Sequence, residues 1–226
     1  MNQVFISWSG GKDSCFAAYL AETSGLKISC LANMITEDGK LSWSHGQSPE
    51  LLQLHAKATG ISLHQQRTSS ENYEAEFINM LQSFKGKGIG GGVFGDIDFN
   101  EHRQWIERVC KQADITPHLP LWGKSQDDIL REFIALGFET VIVATRADLL
   151  GEEWLGGKVD KDFLEQLSAL KDKKMDITLC GEAGEYHTFV TNGPLFNKRI
   201  EILETRKFQK DNHWFLEILD TELREK

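Results

Sequence analysis

Ser9, Gly10, Gly11, Lys12, Asp13 and Ser14 stand in a row near the start of the chain. An apolar run, Val4-Phe5-Ile6, precedes them, and Cys15-Phe16-Ala17-Ala18-Tyr19-Leu20 follows with helical spacing. That order reads as a strand, a glycine turn and the start of a helix. A helix start offers unbonded backbone N–H groups and the positive end of the dipole, so it attracts phosphate. Two adjacent glycines let the main chain approach an anion closely. Ser9 and Ser14 add hydroxyls, and Lys12 adds a point charge. Asp13 is the odd member. A carboxylate inside a phosphate cradle makes sense where it holds a Mg²⁺ that bridges the phosphates.

A second group lies far along the chain. Glu182 and Glu185 are three apart, flanked by Gly181 and Gly184 and followed by Tyr186-His187. Such a pair can hold Mg²⁺, bind an amine or act as a base, and a charged, solvated turn gives the same pattern. Asp96 ends a glycine-rich apolar run, 89–97, where a carboxylate could coordinate Mg²⁺ or order the first loop, or simply open a turn. Gly90, Gly92 and Gly95 spell G-x-G-x-x-G, but the strand runs through Val93 and Phe94 instead of ending before the motif. The dinucleotide signal is therefore weak, and a strand approached closely by ligand or backbone is the preferred reading. His45 in a loop, His102 and Arg103 at a helix start, His187 beside the acid pair and Trp154 after Glu152-Glu153 each have a functional and a plain surface or core explanation.

Lys12 is not followed directly by Ser or Thr, so the first loop is not a Walker A loop. Ser-Gly-Gly-Lys-Asp-Ser instead resembles the PP-loop of the N-type ATP pyrophosphatases, which split ATP between the α and β phosphates and activate a carboxyl or carbonyl oxygen as an adenylate. Cys180-Gly181-Glu182-Ala183-Gly184-Glu185-Tyr186-His187-Thr188-Phe189-Val190 with Asn192-Gly193-Pro194-Leu195-Phe196 narrows this further. So do Gly95-Asp96, His102-Arg103, Trp105, Pro120-Leu121-Trp122 and Glu153-Trp154-Leu155-Gly156. In that order they resemble the diphthine–ammonia ligase family, from the first strand to about Phe196.

The resemblance implies an adenine-nucleotide α-hydrolase fold of Rossmann-like build with a smaller C-terminal domain. It implies that ATP adenylates a carboxylate with release of pyrophosphate, and that ammonium displaces AMP. Lys12, Asp13, Asp96, Glu182 and Glu185 would carry the catalysis. Ser9 to Ser14 would hold the phosphates, Asp13 and Asp96 the Mg²⁺, and Ala32, Asn33 and Met34 the adenine through their backbone. Glu182 and Glu185 would face the acyl centre or the incoming ammonium. ATP, AMP and ammonium are then the small-molecule partners, and elongation factor 2 is the protein acceptor if the host makes diphthamide. Ala183 stands where the family usually has glycine, and Tyr186-His187-Thr188 is similar to bacterial members. Bacteria do not make diphthamide, so the ATP chemistry carries over and the acceptor does not. Two alternatives stay open: a PP-loop enzyme for another substrate, such as a metabolite or a tRNA nucleoside, and a non-catalytic module that binds ATP or AMP.

These residues need elements to place them. Apolar runs at 4–8, 28–35, 61–67 and 89–97 read as strands, and 13–23, 49–59, 72–84 and 100–113 as helices. Ser48 suits an N-cap with Pro49 at the first helical position, and Gly60 a stop. The two prolines in 115–121 fit an edge strand or a loop. Such alternation implies a parallel sheet with helices on both faces and ligands beyond the carboxyl ends of the strands. After Trp122 the pattern changes: helices at 126–136 and 160–170, and strands at 138–145, 186–191, 199–208 and 213–220. That is α+β, which gives an ATP-binding domain at 1–123 and a substrate domain at 124–226. The net charge of −9 disfavours broad contact with nucleic acid. Four scattered cysteines have no metal-site spacing. With no leader-like segment or long apolar run, the expected location is the cytoplasm. A homodimer is left open.

Overall fold

The computed structural model describes residues 3–43, 46–173 and 177–226. The chain divides into two compact units, Met1–Trp122 and Gly123–Lys226.

In the first unit strands and helices alternate: β1 (Gln3–Ser7), α1 (Lys12–Thr23), β2 (Lys27–Thr36), α2 (Pro49–Thr59), β3 (Leu63–Thr68), α3 (Tyr73–Gly86), β4 (Gly91–Val93), α4 (Asn100–Gln112) and β5 (Thr116–His118). The five strands are parallel, in the order β3-β2-β1-β4-β5. The order reverses beside β1, which opens a crevice at the carboxyl ends of β1 and β4. Side chains alternate across the sheet. Phe5, Cys30, Ala32 and Met34 meet α3 and α4 through Phe77, Met80, Leu81, Phe84, Ile106 and Val109. α1 and α2 pack on the same sheet through β1, β2 and β3, with Trp8 against His55 of α2 on the opposite face. The expected doubly covered parallel sheet is present.

Local chemistry sets the boundaries. The Ser48 side chain accepts from the Leu51 N–H at 3.3 Å with Pro49 at the helix start, and Gly60 closes α2 in a left-handed conformation. β4 is shorter than the sequence suggests. A Cβ at Gly92 would lie 2.5 Å from the Phe5 ring, so the strand is glycine because Phe5 lies across it. Only Gly91–Val93 pairs on both sides before the chain bends toward α1.

The second unit holds α5 (Gln126–Ala135), β6 (Glu139–Arg146), a single 3₁₀ turn at Glu152–Trp154, α6 (Lys161–Lys171), β7 (Tyr186–Asn192), β8 (Lys198–Lys210) and β9 (His213–Glu225). Its antiparallel sheet has the order β7-β6-β9-β8. Phe133 of α5 stacks on Phe138 at 4.4 Å, which ties the helix to the start of β6. No helix among the described residues is long and apolar enough to cross a membrane.

Candidate active site

The first loop runs from the end of β1 into α1. Gly10 has φ +77°, and a Cβ there would lie 2.7 Å from His55 and 2.8 Å from Leu52, so both backbone shape and space require glycine. Gly11 is the N-cap of α1 and brings no side-chain cap to the first turn. The Ser9 hydroxyl accepts from the Gly11 N–H at 3.3 Å, and the Ser14 hydroxyl donates to the Gly11 carbonyl at 3.0 Å. The loop is thus folded by its own serines, while the start of α1 keeps the polarity that attracts an anion. Lys12 is buried, and its ammonium sits 2.8 Å from the Asp13 carboxylate.

The segment after β4 comes in against this turn. A Cβ at Gly95 would lie 2.9 Å from the Asp13 carbonyl carbon and 3.0 Å from the Ser14 nitrogen. Glycine there lets the next residue, Asp96, reach the head of α1. Burial pushes the Asp96 carboxyl up; the neighbouring His102 draws it down, and the charge of Asp13 pushes it up again. His102 Nδ1 lies 3.4 Å from Asp96, and its side chain is largely exposed. The structure therefore brings together Ser9 to Ser14 and Asp96. Arg103 lies 5.0 Å above the Trp122 ring and pairs with Glu107. Among the described residues, no three His, Cys, Asp or Glu side chains gather into a metal cluster. The acid pair still suits a hard divalent cation that takes its other ligands from phosphate and water.

The end of β2 is more occupied than the sequence suggests. The Ala32 carbonyl accepts from the Trp8 N–H at 2.7 Å, and the Met34 carbonyl from the Trp43 N–H at 2.9 Å. Ile35 and Ser42 form an antiparallel bridge, so the chain after β2 folds back along it where β1 has departed. The buried Asn33 amide donates to the Trp8 carbonyl at 2.8 Å and to the Ser42 hydroxyl at 3.0 Å. Among the described residues its Oδ1 meets no donor. The Asn33 side chain thus joins the loop entrance to the returning segment. His45 lies outside the described residues.

In the second unit the acid pair divides. Glu185 is fully buried. Its Oε1 accepts from the Thr178 N–H and its Oε2 from the Ala183 N–H, so the carboxylate holds its own turn together. Glu182 is half-buried, and its N–H donates to the Thr178 hydroxyl. Gly181 has φ +75°, and a Cβ there would meet the Tyr186 carbonyl at 2.8 Å. Its close neighbour is Tyr186, whose hydroxyl donates to the Leu179 carbonyl. Trp154 stands edge-on to Phe163 at 5.6 Å and lines an open cleft of about 470 Å³ with Glu153, Lys158 and Asp160. His187 lies on β7, half-buried, opposite Ala144. The four cysteines are buried thiols.

His55 escapes a motif-based reading. It is fully buried beneath the first loop, and its Nδ1 accepts from the Trp8 indole N–H at 3.3 Å. The signal was present: Leu51, Leu52, His55 and Ala58 share one face of α2, which sets a histidine among apolar neighbours.

Comparison with known proteins gives the family. The diphthamide synthase N-terminal domain matches residues 2–117, and the diphthamide synthase C-terminal domain matches residues 125–223. A diphthine–ammonia ligase from Rattus norvegicus is 30% identical over 215 residues, covering 86% of this chain and 80% of that protein. The Homo sapiens diphthine–ammonia ligase is also 30% identical, over 216 residues, covering 85% of this chain and 79% of that protein. A solved structure titled as a predicted subunit of tRNA methyltransferase from Methanocaldococcus jannaschii covers 85% of this chain and 97% of its own. At 15% identity and a TM-score of 0.44, that likeness is too loose to argue from. With both halves matched in order, the chain belongs to the diphthamide synthase family.

Proposed function

We propose that this chain is an ATP-dependent ligase that amidates a carboxylate with ammonium. A carboxylate oxygen of the acceptor attacks the α-phosphorus of ATP, and the bond to the bridging oxygen breaks to release pyrophosphate. Ammonia then attacks the acyl carbon, AMP leaves, and the nitrogen loses a proton to give the amide. The relatives' name supplies diphthine as the carboxylate and ammonia as the nitrogen source. A protein acceptor, elongation factor 2, and a cytoplasmic setting belong to the same reading.

The observation that carries it is the approach of Asp13 and Asp96 at the head of α1, made possible by Gly95. Residues Ser9 to Ser14 receive the β and γ phosphates, and Lys12 balances their charge. Asp13 and Asp96 would hold Mg²⁺, which neutralises charge on the departing pyrophosphate. Adenine is assigned to the end of β2 at Ala32, Asn33 and Met34, with the Asn33 side chain offering an acceptor beside the backbone. Glu182 serves the ammonium step, because a carboxylate favours a cation. Glu185 serves it through the turn that carries Glu182.

The test is a product assay with ATP, Mg²⁺, ammonium and a diphthine-bearing acceptor. AMP and pyrophosphate should form in equal amounts, and only when both ammonium and the carboxylate are supplied. Tight ATP binding with no AMP under any of these conditions would leave a nucleotide-binding module instead. AMP formation with a different carboxylate would keep the ligase and change its acceptor.

A further inference from the structure

We infer that His55 is a positioning residue for nucleotide binding: its neutral imidazole, with Nδ1 as acceptor, fixes the height and shape of the first loop from below. The inference rests on the reading of Ser9 to Ser14 as the phosphate loop.

Trp8 is the last residue before that loop, and it is held three ways. Its N–H donates to the Ala32 carbonyl at 2.7 Å, its carbonyl accepts from the Asn33 amide at 2.8 Å, and its indole N–H donates to His55 Nδ1 at 3.3 Å. The first two bonds fix the main chain. The third fixes the side chain, with the two rings edge to face at 5.5 Å. The indole nitrogen can only donate, so Nδ1 of His55 must be the acceptor and the ring proton must sit on Nε2. Trp8 is 2% exposed and His55 fully buried, so water does not stand in for either partner.

The same imidazole forms the floor of the loop. A Cβ on Gly10 would fall 2.7 Å from His55 Cε1 and 2.9 Å from Nδ1. Gly10 therefore rests on the ring, and the Trp8 indole helps to orient that ring. Whatever shifts the imidazole shifts Gly10, and with it the N–H groups that must point at phosphate. Positioning on this scale matters, because hydrogen bonds weaken steeply with misalignment.

The experiment measures MgATP affinity of the full chain by calorimetry, with thermal unfolding followed on the same samples. His55→Leu keeps bulk and removes the acceptor; it should weaken ATP about tenfold, the effect of ~1.4 kcal/mol, with the protein still folded at the assay temperature. His55→Asn places an amide oxygen near the position of Nδ1. It should restore ATP affinity to within about threefold of wild type, even though it is smaller, more polar and at least as damaging to stability as leucine. Trp8→Phe removes the donor instead; it should weaken ATP two- to fivefold, roughly, and add nothing in the His55→Leu background. Affinity that follows stability rather than the acceptor, with asparagine no better than leucine, overturns the inference. So does a leucine variant that binds ATP as wild type does. Wild-type protein that binds no MgATP overturns the phosphate-loop reading itself, which is a separate outcome. If His55→Leu does not fold, the asparagine and phenylalanine variants decide the matter in the same way.

Discussion

Two acidic loops in this chain look alike in sequence and are built for opposite purposes. Around Ser9 to Ser14, the serines and glycines fold the loop, and the carboxylate of Asp13 is paired with the buried ammonium of Lys12. Around Thr178 to Tyr186, the carboxylate of Glu185 is the fastener, buried and bonded to two backbone N–H groups. The difference teaches that an acid in a glycine-rich turn must be judged by where its oxygens are spent. Both Asp13 oxygens meet the ammonium of Lys12, a neighbouring side chain. Glu185 has already given its charge to the fold.

The largest effect should come from breaking the first loop's chemistry without touching its shape. Asp13→Asn is isosteric and keeps the helix start. Pyrophosphate release should fall at least about a thousandfold, ~4 kcal/mol in the barrier, while the unfolding temperature stays within a few degrees. Normal turnover in this variant would mean that Asp13 does not serve the metal and that the comparison drawn above fails on its first side.

The mirror experiment belongs to the second loop. In Glu185→Gln one oxygen becomes an amide nitrogen, so a backbone N–H of Thr178 or Ala183 faces a donor instead of an acceptor. Replacing a charge-assisted bond by a clash of donors in a buried turn should cost about 2–3 kcal/mol of stability. The melting temperature should drop by about 5 °C or more, and ATP affinity should not change. An unchanged melting temperature with lost activity would return Glu185 to the reacting group.

The sequence made the first region readable because its message is local. Six consecutive residues, the strand before and the helix after are enough to recognise the loop, and the structure brings them together. The parallel sheet was legible for the same reason, since each strand and helix carries its own period. What stayed hidden depends on contacts between distant segments. Gly95 against Asp13 spans about eighty positions, and His55 under Gly10 spans forty-five. The returning segment at Ser42 and Trp43, which covers the Met34 carbonyl, has no periodic signal of its own. The acid pair was misleading in a different way: three-residue spacing shows that two carboxylates are close, not which way each one points. β4 reads too long because Phe94 and Ile97, both buried, continue its apolar pattern after strand pairing has ended.

Gly95→Ala tests the link between the two carboxylates of the first site. Its new methyl would have to displace backbone, 2.9 Å from the Asp13 carbonyl carbon, and backbone does not yield as a side chain would. Overpacking of this kind costs about 1–3 kcal/mol. The first turn of α1 should shift away from β4, and MgATP affinity should fall about tenfold. Gly25→Ala offers a control, since a Cβ there meets nothing within 4 Å. It should lose some stability from its left-handed backbone and leave ATP binding as it was. Equal ATP affinity in wild type and Gly95→Ala would show that Asp96 need not come close to the head of α1.

The smallest change in stability should come from Glu182→Gln, and it sharpens the comparison most. Glu182 shares the turn with Glu185, and the turn holds its backbone: the Glu182 N–H donates to the Thr178 hydroxyl at 2.8 Å. Glutamine preserves that bond and the side chain's shape. Stability should therefore stay within about 0.5 kcal/mol of wild type. Losing the negative charge removes an attraction for a cation, so amide formation at limiting ammonium should slow about tenfold, ~1.4 kcal/mol. Raising the ammonium concentration should recover part of the rate, because the defect lies in gathering the nucleophile and not in making the adenylate. Pyrophosphate release measured in a single turnover should be unaffected. A variant as unstable as Glu185→Gln would make the two glutamates structural twins. One with full amide formation at limiting ammonium would remove Glu182 from the reaction and leave the whole turn a matter of folding.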